Sequence, residues 1–186
     1  MNAKDISISE YLSHIIFITG GTKSGKSEFA EYLAKEVKNL SYVALSENNL
    51  DDKDWQDKIY LHRKRRPKDW KSIETTDLIK TLRKEEGPLL IDSIGGFVMK
   101  SIGKEHNEWS TKINSLISLL IKRKSITIIV GEQVGWSLVS EYKIGNTYIE
   151  RIGELQKKIT KISKDNWLAI NGRAIKIDEI SIEIPI

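Results

Sequence analysis

The residues with the clearest chemistry form one glycine-rich stretch near the start of the chain. It reads Gly20-Gly21-Thr22-Lys23-Ser24-Gly25-Lys26-Ser27 and fits the pattern G-x-x-x-x-G-K-S. In such a loop the backbone N–H groups turn toward phosphate oxygens, and the helix that follows directs the positive end of its dipole at them. We expect Lys26 to reach the β and γ phosphates of a triphosphate and the Ser27 hydroxyl to bind Mg²⁺. The competing interpretation is an ordinary glycine-rich turn between a strand and a helix.

A second candidate for metal binding is Asp92, which directly follows the apolar run 88–91. An acid at the end of such a strand holds Mg²⁺ directly or through water in proteins with this loop. Its alternative role is to cap the segment that begins at Ser93. The Asn-Lys-x-Asp motif by which regulatory GTPases read guanine is missing from the sequence, which argues against a switch GTPase.

His62 is the third candidate and lies in the basic run 58–67, on a helix expected to begin near Asp51 and to end before Pro67. A neutral imidazole can attack phosphorus, and surrounding cations disfavour its protonation. The C-terminus of a helix favours the imidazolium instead, so the two effects on the histidine pKa oppose each other. A surface histidine is the competing interpretation. No two of the three histidines have the i, i+4 spacing of a zinc pair, which argues against a zinc site.

The charge of the chain is concentrated around this histidine. The net charge is +4, yet residues 58–71 hold seven basic side chains and one Asp, so the rest of the chain is slightly acidic. Such a local excess favours a local anionic ligand, such as a phosphate chain, over a surface that binds nucleic acid. A solvated helix face is the alternative. Only Tyr60 and Trp70 could stack on bases there, and we predict no nucleic-acid partner.

The elements that must position these residues follow from the apolar pattern. Runs rich in Ile, Val and Leu without alternation predict strands buried on both faces, at 15–19, 42–45, 89–91, 126–130 and 167–170. Segments of helical period lie between them, at 29–37, 113–121 and 148–162. This alternation predicts an α/β fold of the P-loop NTPase type, with a mostly parallel sheet covered by helices on both faces. Asn171-Gly172 predicts a C-terminal hairpin, and the alternating residues 178–186 are a candidate for an edge strand or for a contact with a neighbouring subunit.

Length and composition are those of one globular domain. The 186 residues are 39% hydrophobic and 30% charged, and we predict a single P-loop domain over 1–186. The chain has no cysteine, which excludes disulfides and thiolate metal sites. Asp5 and Glu10 interrupt the N-terminal stretch, and no run of about 18 apolar residues occurs, which predicts a cytoplasmic protein without a membrane span.

Taken in order, these motifs resemble the bifunctional adenosylcobinamide kinase/adenosylcobinamide-phosphate guanylyltransferase family. The loop and its flanks match the family in FITGGTKSGKSEFAEYLA. A second family segment, R-I-x-x-H-basic-x-x-R-P-x-x-W after acidic residues, matches DKDWQDKIYLHRKRRPKDW. The family then has an acid, here Glu74, and later N-E-V-G-W-G-I-V-P-E, here residues 132–141. Glu132-Gln133, Ser137 and Ser140 depart from that stretch, in a region that we assign to the corrinoid or to a subunit contact.

The resemblance implies an enzyme of cobalamin (vitamin B12) biosynthesis. It would phosphorylate the terminal hydroxyl of the aminopropanol arm of adenosylcobinamide, a corrinoid, with ATP or GTP, and then attach GMP from GTP through a covalent histidine-GMP. His62 and Lys26 would be catalytic, Ser27 and Asp92 would bind Mg²⁺, and members of the family form homotrimers. Beyond Gly20–Ser27, the implied nucleotide-binding residues are Ser46, Glu47, Arg63, Lys64, Arg65, Arg66, Glu74 and Asp92. The alternative is a P-loop kinase of another small alcohol, in which His62 only neutralises or orients phosphate.

Overall fold

A seven-stranded sheet organises the computed structural model, which describes residues 15–45, 67–136 and 140–185. Its elements along the chain are β1 (Ile15–Gly20), α1 (Lys26–Ala34), β2 (Ser41–Ala44), β3 (Lys71–Glu74), α2 (Leu78–Lys84), β4 (Leu89–Asp92), α3 (Gly95–Met99), α4 (His106–Lys122), β5 (Thr127–Glu132), α5 (Lys143–Ile162), β6 (Asp165–Ile170) and β7 (Arg173–Lys176). A 3₁₀ turn, Ile177–Glu179, follows β7.

The strand order is β3-β2-β4-β5-β1-β6-β7, and every neighbouring pair is parallel except β6 and β7. The predicted fold, a mostly parallel α/β sheet that ends in an antiparallel hairpin, is confirmed. Strand β5 lies between β1 and β4, with Gly20 beside Glu132 and Asp92 beside Val130 in the register. The carboxyl ends of these three strands therefore meet at one edge of the sheet, which is where open α/β sheets bind ligands.

Successive strand residues are buried on opposite faces, as the unbroken apolar runs predict. On one face, Phe17 and Ile91 pack with buried residues of α2, α3, α4 and α5. On the other face, Ile18 and Leu90 pack with Leu33 of α1 and with Trp167. Burial of each large aliphatic side chain contributes about 1.5–3 kcal/mol relative to exposure, so both helix layers are held by the same strands.

The longest helices are positioned by apolar stripes and defined ends. Helix α4 buries Trp109, Ile113, Leu116 and Leu120, a spacing that places all four on one side. Its N-terminus carries a reciprocal capping box between Glu105 and Glu108. Helix α5 buries Ile152, Leu155, Gln156 and Ile159 in the same manner. Within the described parts of the chain, no helix has the length and apolarity that crossing a membrane requires.

The C-terminal hairpin is confirmed in detail, whereas the predicted edge strand after it is wrong. Asn171 and Gly172 have φ angles of 49° and 73°, the positive pair that a two-residue type I′ turn requires. The described part of the tail, residues 178–185, contains the end of the 3₁₀ turn and no strand. Asp178 instead accepts a hydrogen bond from the Asn166 backbone N–H at 2.7 Å, which ties the start of the tail to β6 rather than extending the sheet.

Candidate active site

The glycine-rich stretch forms a tight loop between β1 and α1. Gly25 has a φ of 93° and Lys23 a φ of 57°, so the chain turns through left-handed conformations before α1 begins at Lys26. Within the described residues, no side chain caps the N-terminus of α1. The first backbone N–H groups of this nine-residue helix are therefore available to an anion, which the helix dipole also favours.

Two neighbouring strands fix the position of the loop. The Gln133 N–H, just after β5, donates to the Gly20 carbonyl at 2.9 Å, and the Gly172 N–H of the hairpin turn donates to the Ser24 carbonyl at 3.0 Å. A Cβ on Gly20 would lie 2.4 Å from the Ala169 carbonyl oxygen, so glycine is required by the close approach of β6. The loop conformation is thus set by β5 and by the hairpin as well as by its own glycines.

Two polar side chains of the loop fit phosphate oxygens. The Lys26 ammonium donates to the Gly21 carbonyl at 3.1 Å, folded back over its own loop. The Ser24 hydroxyl is buried and has no hydrogen-bond partner among the described residues. A buried hydroxyl without a partner costs free energy, which a bound acceptor would recover. Both groups are donors, as binding of a triphosphate requires.

Asp92 lies beside the loop and contacts it directly. Its Oδ1 accepts a hydrogen bond from the Ser27 hydroxyl at 3.3 Å, and its Oδ2 accepts one from the Tyr42 hydroxyl at 2.6 Å. Hydroxyl and carboxylate oxygens are the hard ligands that Mg²⁺ prefers, so the pair Ser27 and Asp92 fits that ion. In the described structure the N-cap of α3 is Ile94, with no side-chain cap, so the alternative role of Asp92 as a cap is not seen there.

Glu132, at the end of β5, forms a second acidic position beside the loop. Its carboxylate accepts hydrogen bonds from the Ser93 hydroxyl and, at 3.0 Å, from the Gly95 backbone N–H. Burial raises the pKa of Glu132, and the Asp92 charge adds to that rise, while the hydrogen bond from Ser93 and the charge of Lys26 oppose it. A Cβ on Gly95 would lie 2.6 Å from the Glu132 carboxylate, so the glycine permits this contact.

Two side chains of helix α5, Tyr148 and Gln156, pack against Gly95 and Glu132. The Tyr148 hydroxyl would lie 2.4 Å from a Cβ on Gly95, so it packs on the same glycine as the Glu132 carboxylate. Burial, with a smaller contribution from the Glu132 charge, raises the pKa of Tyr148 well above its usual range. The Gln156 side chain donates to the Glu132 backbone carbonyl at 2.7 Å and holds the end of β5 in place.

Tyr42 and Glu132 are site residues that the sequence reasoning missed. Glu132 lies in the stretch that the sequence analysis assigns to the corrinoid or to a subunit contact, and the structure places it beside Gly20 in the sheet, in contact with Ser93. The signal that found Asp92, an acid that ends a buried strand, applies equally to Glu132. Tyr42 gives no such signal, because an aromatic residue inside an apolar run is typical of a core position.

Outside the loop and Asp92, Glu74 is the predicted site residue that the structure describes, and it is not part of this arrangement. Glu74 ends β3, which β2, β4 and β5 separate from β1 in the sheet, so it does not join the loop. Trp70 is buried and its ring stacks on Tyr42 with centroids 6.5 Å apart, so it is not free to stack on a base. The remaining predicted positions, Ser46, Glu47, His62, Arg63, Lys64, Arg65 and Arg66, and the helix predicted around His62, lie outside the described residues.

Solved structures with a similar fold include an ATPase. A prototypical ATPase from the type III secretion system of pathogenic bacteria aligns with a TM-score of 0.51 and 12% identity, over 84% of this chain and 51% of that one. A protein of Pyrococcus horikoshii OT3 aligns with a TM-score of 0.52 and 7% identity, over 95% and 91% of the two chains. At these identities the likeness establishes the fold alone.

Relatives found by sequence similarity give more specific information about function than these structural neighbours do. The bifunctional adenosylcobalamin biosynthesis protein CobU of Escherichia coli (strain K12) is 25% identical over 181 residues, which is 88% of this chain and 99% of that protein. Its namesake in Salmonella typhimurium (strain LT2) matches at the same identity and coverage. CobP of Pseudomonas aeruginosa, with the same bifunctional description, is 28% identical over 77% of this chain and 86% of its own length.

The family model described as cobinamide kinase / cobinamide phosphate guanyltransferase matches residues 16–177. This range contains the phosphate loop, Asp92, Glu132 and the segment around His62. The match confirms the family, the transferase class and the bifunctional activity that the sequence resemblance implies. The phosphate loop and its acids thus lie in a chain that belongs to the cobinamide kinase / cobinamide phosphate guanyltransferase family.

Proposed function

We propose that this chain carries out both transfers of its family with distinct residues: the phosphate loop serves the kinase reaction, and His62 carries GMP in the guanylyl transfer. The substrate is a corrinoid, adenosylcobinamide, and the terminal hydroxyl of its aminopropanol arm is the acceptor. The observation that carries the proposal is the meeting of Lys26, Ser27 and Asp92 at one edge of the sheet, within a chain of this family.

In the kinase reaction, the loop N–H groups and Lys26 bind the triphosphate and neutralise the charge that builds on the γ-phosphoryl group. The substrate hydroxyl oxygen forms a bond to the γ-phosphorus while the bond to the bridging oxygen breaks. The nucleoside diphosphate leaves with the electron pair of the broken bond, and the hydroxyl proton passes from the substrate oxygen to water. Because little covalent chemistry falls to the protein, positioning and electrostatic stabilisation account for most of the rate.

The residues that would hold Mg²⁺ in this reaction are Ser27 and Asp92, whose oxygen atoms lie 3.3 Å apart. The ion would supply positive charge that neutralises the charge of the phosphate oxygens. Ser27 keeps its hydroxyl at the start of α1, and Asp92 keeps its carboxylate at the end of β4. Both positions are set by regular elements, which hold side chains more precisely than loops do.

In the guanylyl transfer, a neutral His62 attacks the α-phosphorus of GTP, a P–N bond forms, and pyrophosphate leaves. A phosphate oxygen of cobinamide phosphate then attacks the same phosphorus, and the P–N bond breaks. The covalent intermediate divides one difficult displacement into two easier ones. Arg63, Lys64, Arg65 and Arg66 clamp phosphates, and Ser46, Glu47 and Glu74 contact the nucleotide. Glu74 ends β3, an outer strand of the sheet, and β2, β4 and β5 lie between it and β1. The nucleotide that Glu74 contacts therefore lies apart from the triphosphate of the kinase reaction.

The partner and donor assignments belong to the same proposal. Either ATP or GTP serves as phosphoryl donor, because both present the same triphosphate to the loop, whereas GTP is the source of GMP. The assembly is a homotrimer, in which His62 lies within reach of a triphosphate in the same or an adjoining subunit. The compartment is the cytoplasm, where both nucleotides are present.

Labelling with GTP that carries the label at the α-phosphorus tests the covalent step. We expect the wild type to acquire acid-labile, hydroxylamine-sensitive label, and His62→Ala to acquire none. His106→Ala, which changes a histidine at the start of α4 remote from the loop in sequence, is the matched control and should label like the wild type. Equal labelling of the wild type and His62→Ala would exclude His62 as the carrier.

A further inference from the structure

We propose that Tyr42 is a positioning residue of the kinase reaction: its hydroxyl holds one oxygen of Asp92, so that the other oxygen faces Ser27. This inference rests on the proposed binding of Mg²⁺ by Ser27 and Asp92. It adds a residue that acts through Asp92 and has no contact of its own with substrate.

The two oxygens of Asp92 have different partners. Oδ2 accepts the hydrogen bond from the Tyr42 hydroxyl at 2.6 Å, and Oδ1 lies 3.3 Å from the Ser27 hydroxyl. The shorter distance is in the range of strong O–H···O⁻ bonds to a charged acceptor, and the longer one exceeds it. The phenol therefore determines the orientation of the carboxylate, while the contact with Ser27 is loose enough to open for a cation.

A carboxylate at the end of a strand needs such a partner. The χ2 torsion of Asp is broad and roughly two-fold, so an unrestrained carboxylate would spread its oxygens over many directions. When the carboxylate rotates freely, its ligand oxygen faces the metal position for only part of the time, and the affinity of the site for the metal ion falls. One hydrogen bond from a fixed donor is enough to select a single orientation.

The packing of Tyr42 makes it a fixed donor. The residue is 2% exposed, and β2 carries it between Ser72 of β3 and Leu90 of β4 in the sheet register. Its ring stacks against that of Trp70 at 6.5 Å between centroids. Because β4 also carries Asp92, the donor and the acceptor lie on adjacent strands, whose relative position the sheet hydrogen bonds define.

The test uses Tyr42→Phe, which removes one oxygen atom and leaves the packing of the ring. The readouts are the affinity for a non-hydrolysable ATP analogue by calorimetry, with and without Mg²⁺, and Mn²⁺ binding to the analogue complex by electron paramagnetic resonance. We expect the Mg²⁺-dependent gain in affinity and the affinity for Mn²⁺ each to fall about 10- to 100-fold, the range typical of lost outer contacts to a metal ligand. Affinity for the analogue without metal should be unchanged.

Two further variants serve as a control and as a direct test of the metal site. Tyr142→Phe removes the same atom from a residue that is 73% exposed and should behave as the wild type. Asp92→Asn should lose most of the Mg²⁺-dependent gain. If Asp92→Asn loses that gain and Tyr42→Phe keeps it, the inference on Tyr42 is overturned while the metal site stands. If neither variant changes it, the proposed metal site fails together with the inference.

Discussion

At the residue scale, two acids that end neighbouring buried strands have different environments. Asp92 is surrounded by the hydroxyls of Ser27 and Tyr42, whereas burial dominates at Glu132 and raises its pKa. Two nearby carboxyl groups that have such different surroundings are suited to different roles. Asp92 is suited to a cation, and Glu132 is suited to hold the chain that follows β4 through Ser93 and Gly95.

The raised pKa of Glu132 predicts how stability depends on pH. A carboxyl group with a folded-state pKa above its unfolded value of 4.5 stabilises the fold below pH 4.5, and this contribution is lost as pH rises through the folded-state pKa. Glu132→Gln removes the ionisation and keeps an acceptor for the Gly95 N–H. At pH 8 we expect the melting temperature of the variant to exceed that of the wild type by about 2–4 °C, which corresponds to roughly 1 kcal/mol in the free energy of unfolding. At pH 5 the difference should be smaller.

Thermal melting without nucleotide or metal measures this difference. The groups that face Glu132 are Asp92, Lys26 and Tyr148, on β4, α1 and α5, and all remain in the variant. The control is Glu183→Gln, an exposed acid of the tail, which should not change the pH dependence. A wild type that gains stability over Glu132→Gln as pH rises would contradict the assignment.

At the element scale, the hairpin between β6 and β7 is part of the phosphate-binding machinery. Its Gly172 N–H donates to the Ser24 carbonyl, and a Cβ on Gly25 would lie 3.6 Å from the Gly172 Cα. The turn thus supports the middle of the loop from behind. A change in the turn should therefore affect both the stability of the sheet and the affinity for triphosphate.

Gly172→Ala tests this support. The added methyl meets no atom within 4 Å, but φ is 73°, so only the backbone conformation is strained. A residue with a Cβ in the left-handed region costs about 1–2 kcal/mol, which predicts a fall in melting temperature of roughly 2–8 °C. The affinity for ATP should fall with it. Gly103→Ala, where a Cβ also has open space and φ is not positive, is the matched control.

The elements that the sequence predicts well are those with a strong local pattern. Strands β1, β4, β5 and β6 are apolar on both faces, and helices α4 and α5 repeat one apolar stripe over several turns. The turn at Asn171 and Gly172 is equally clear, because few residues adopt two successive positive φ angles.

Strand β3 and helices α2 and α3, which the sequence did not predict, are defined by their neighbours instead. Strand β3 is Lys71–Glu74, an edge strand with mostly exposed side chains, and its own residues carry no strand pattern. It forms because β2 offers a parallel partner. Helices α2 and α3 have only seven and five residues, too short for a periodic pattern to stand out. The contact of Tyr42 with Asp92 depends in the same way on the pairing of β2 with β4, 50 residues apart in the chain.

At the scale of the whole molecule, the strand order determines which of the described site residues lie together and which lie apart. Strand β5 between β1 and β4 brings the loop, Asp92 and Glu132 to one part of the carboxyl edge. Strand β3 takes Glu74 to the far end of the same edge.

The central claim is that this single chain performs both transfers in sequence. Its most direct test is to incubate the purified protein with adenosylcobinamide, GTP and Mg²⁺ and to follow the corrinoid products by liquid chromatography and mass spectrometry. We expect adenosylcobinamide phosphate to form first and then to be converted to the GDP derivative, His62→Ala to stop at the phosphate, and Lys26→Ala to form little of either product. A wild type that leaves the corrinoid unchanged, or that accumulates only the phosphate with GTP in excess, would contradict it.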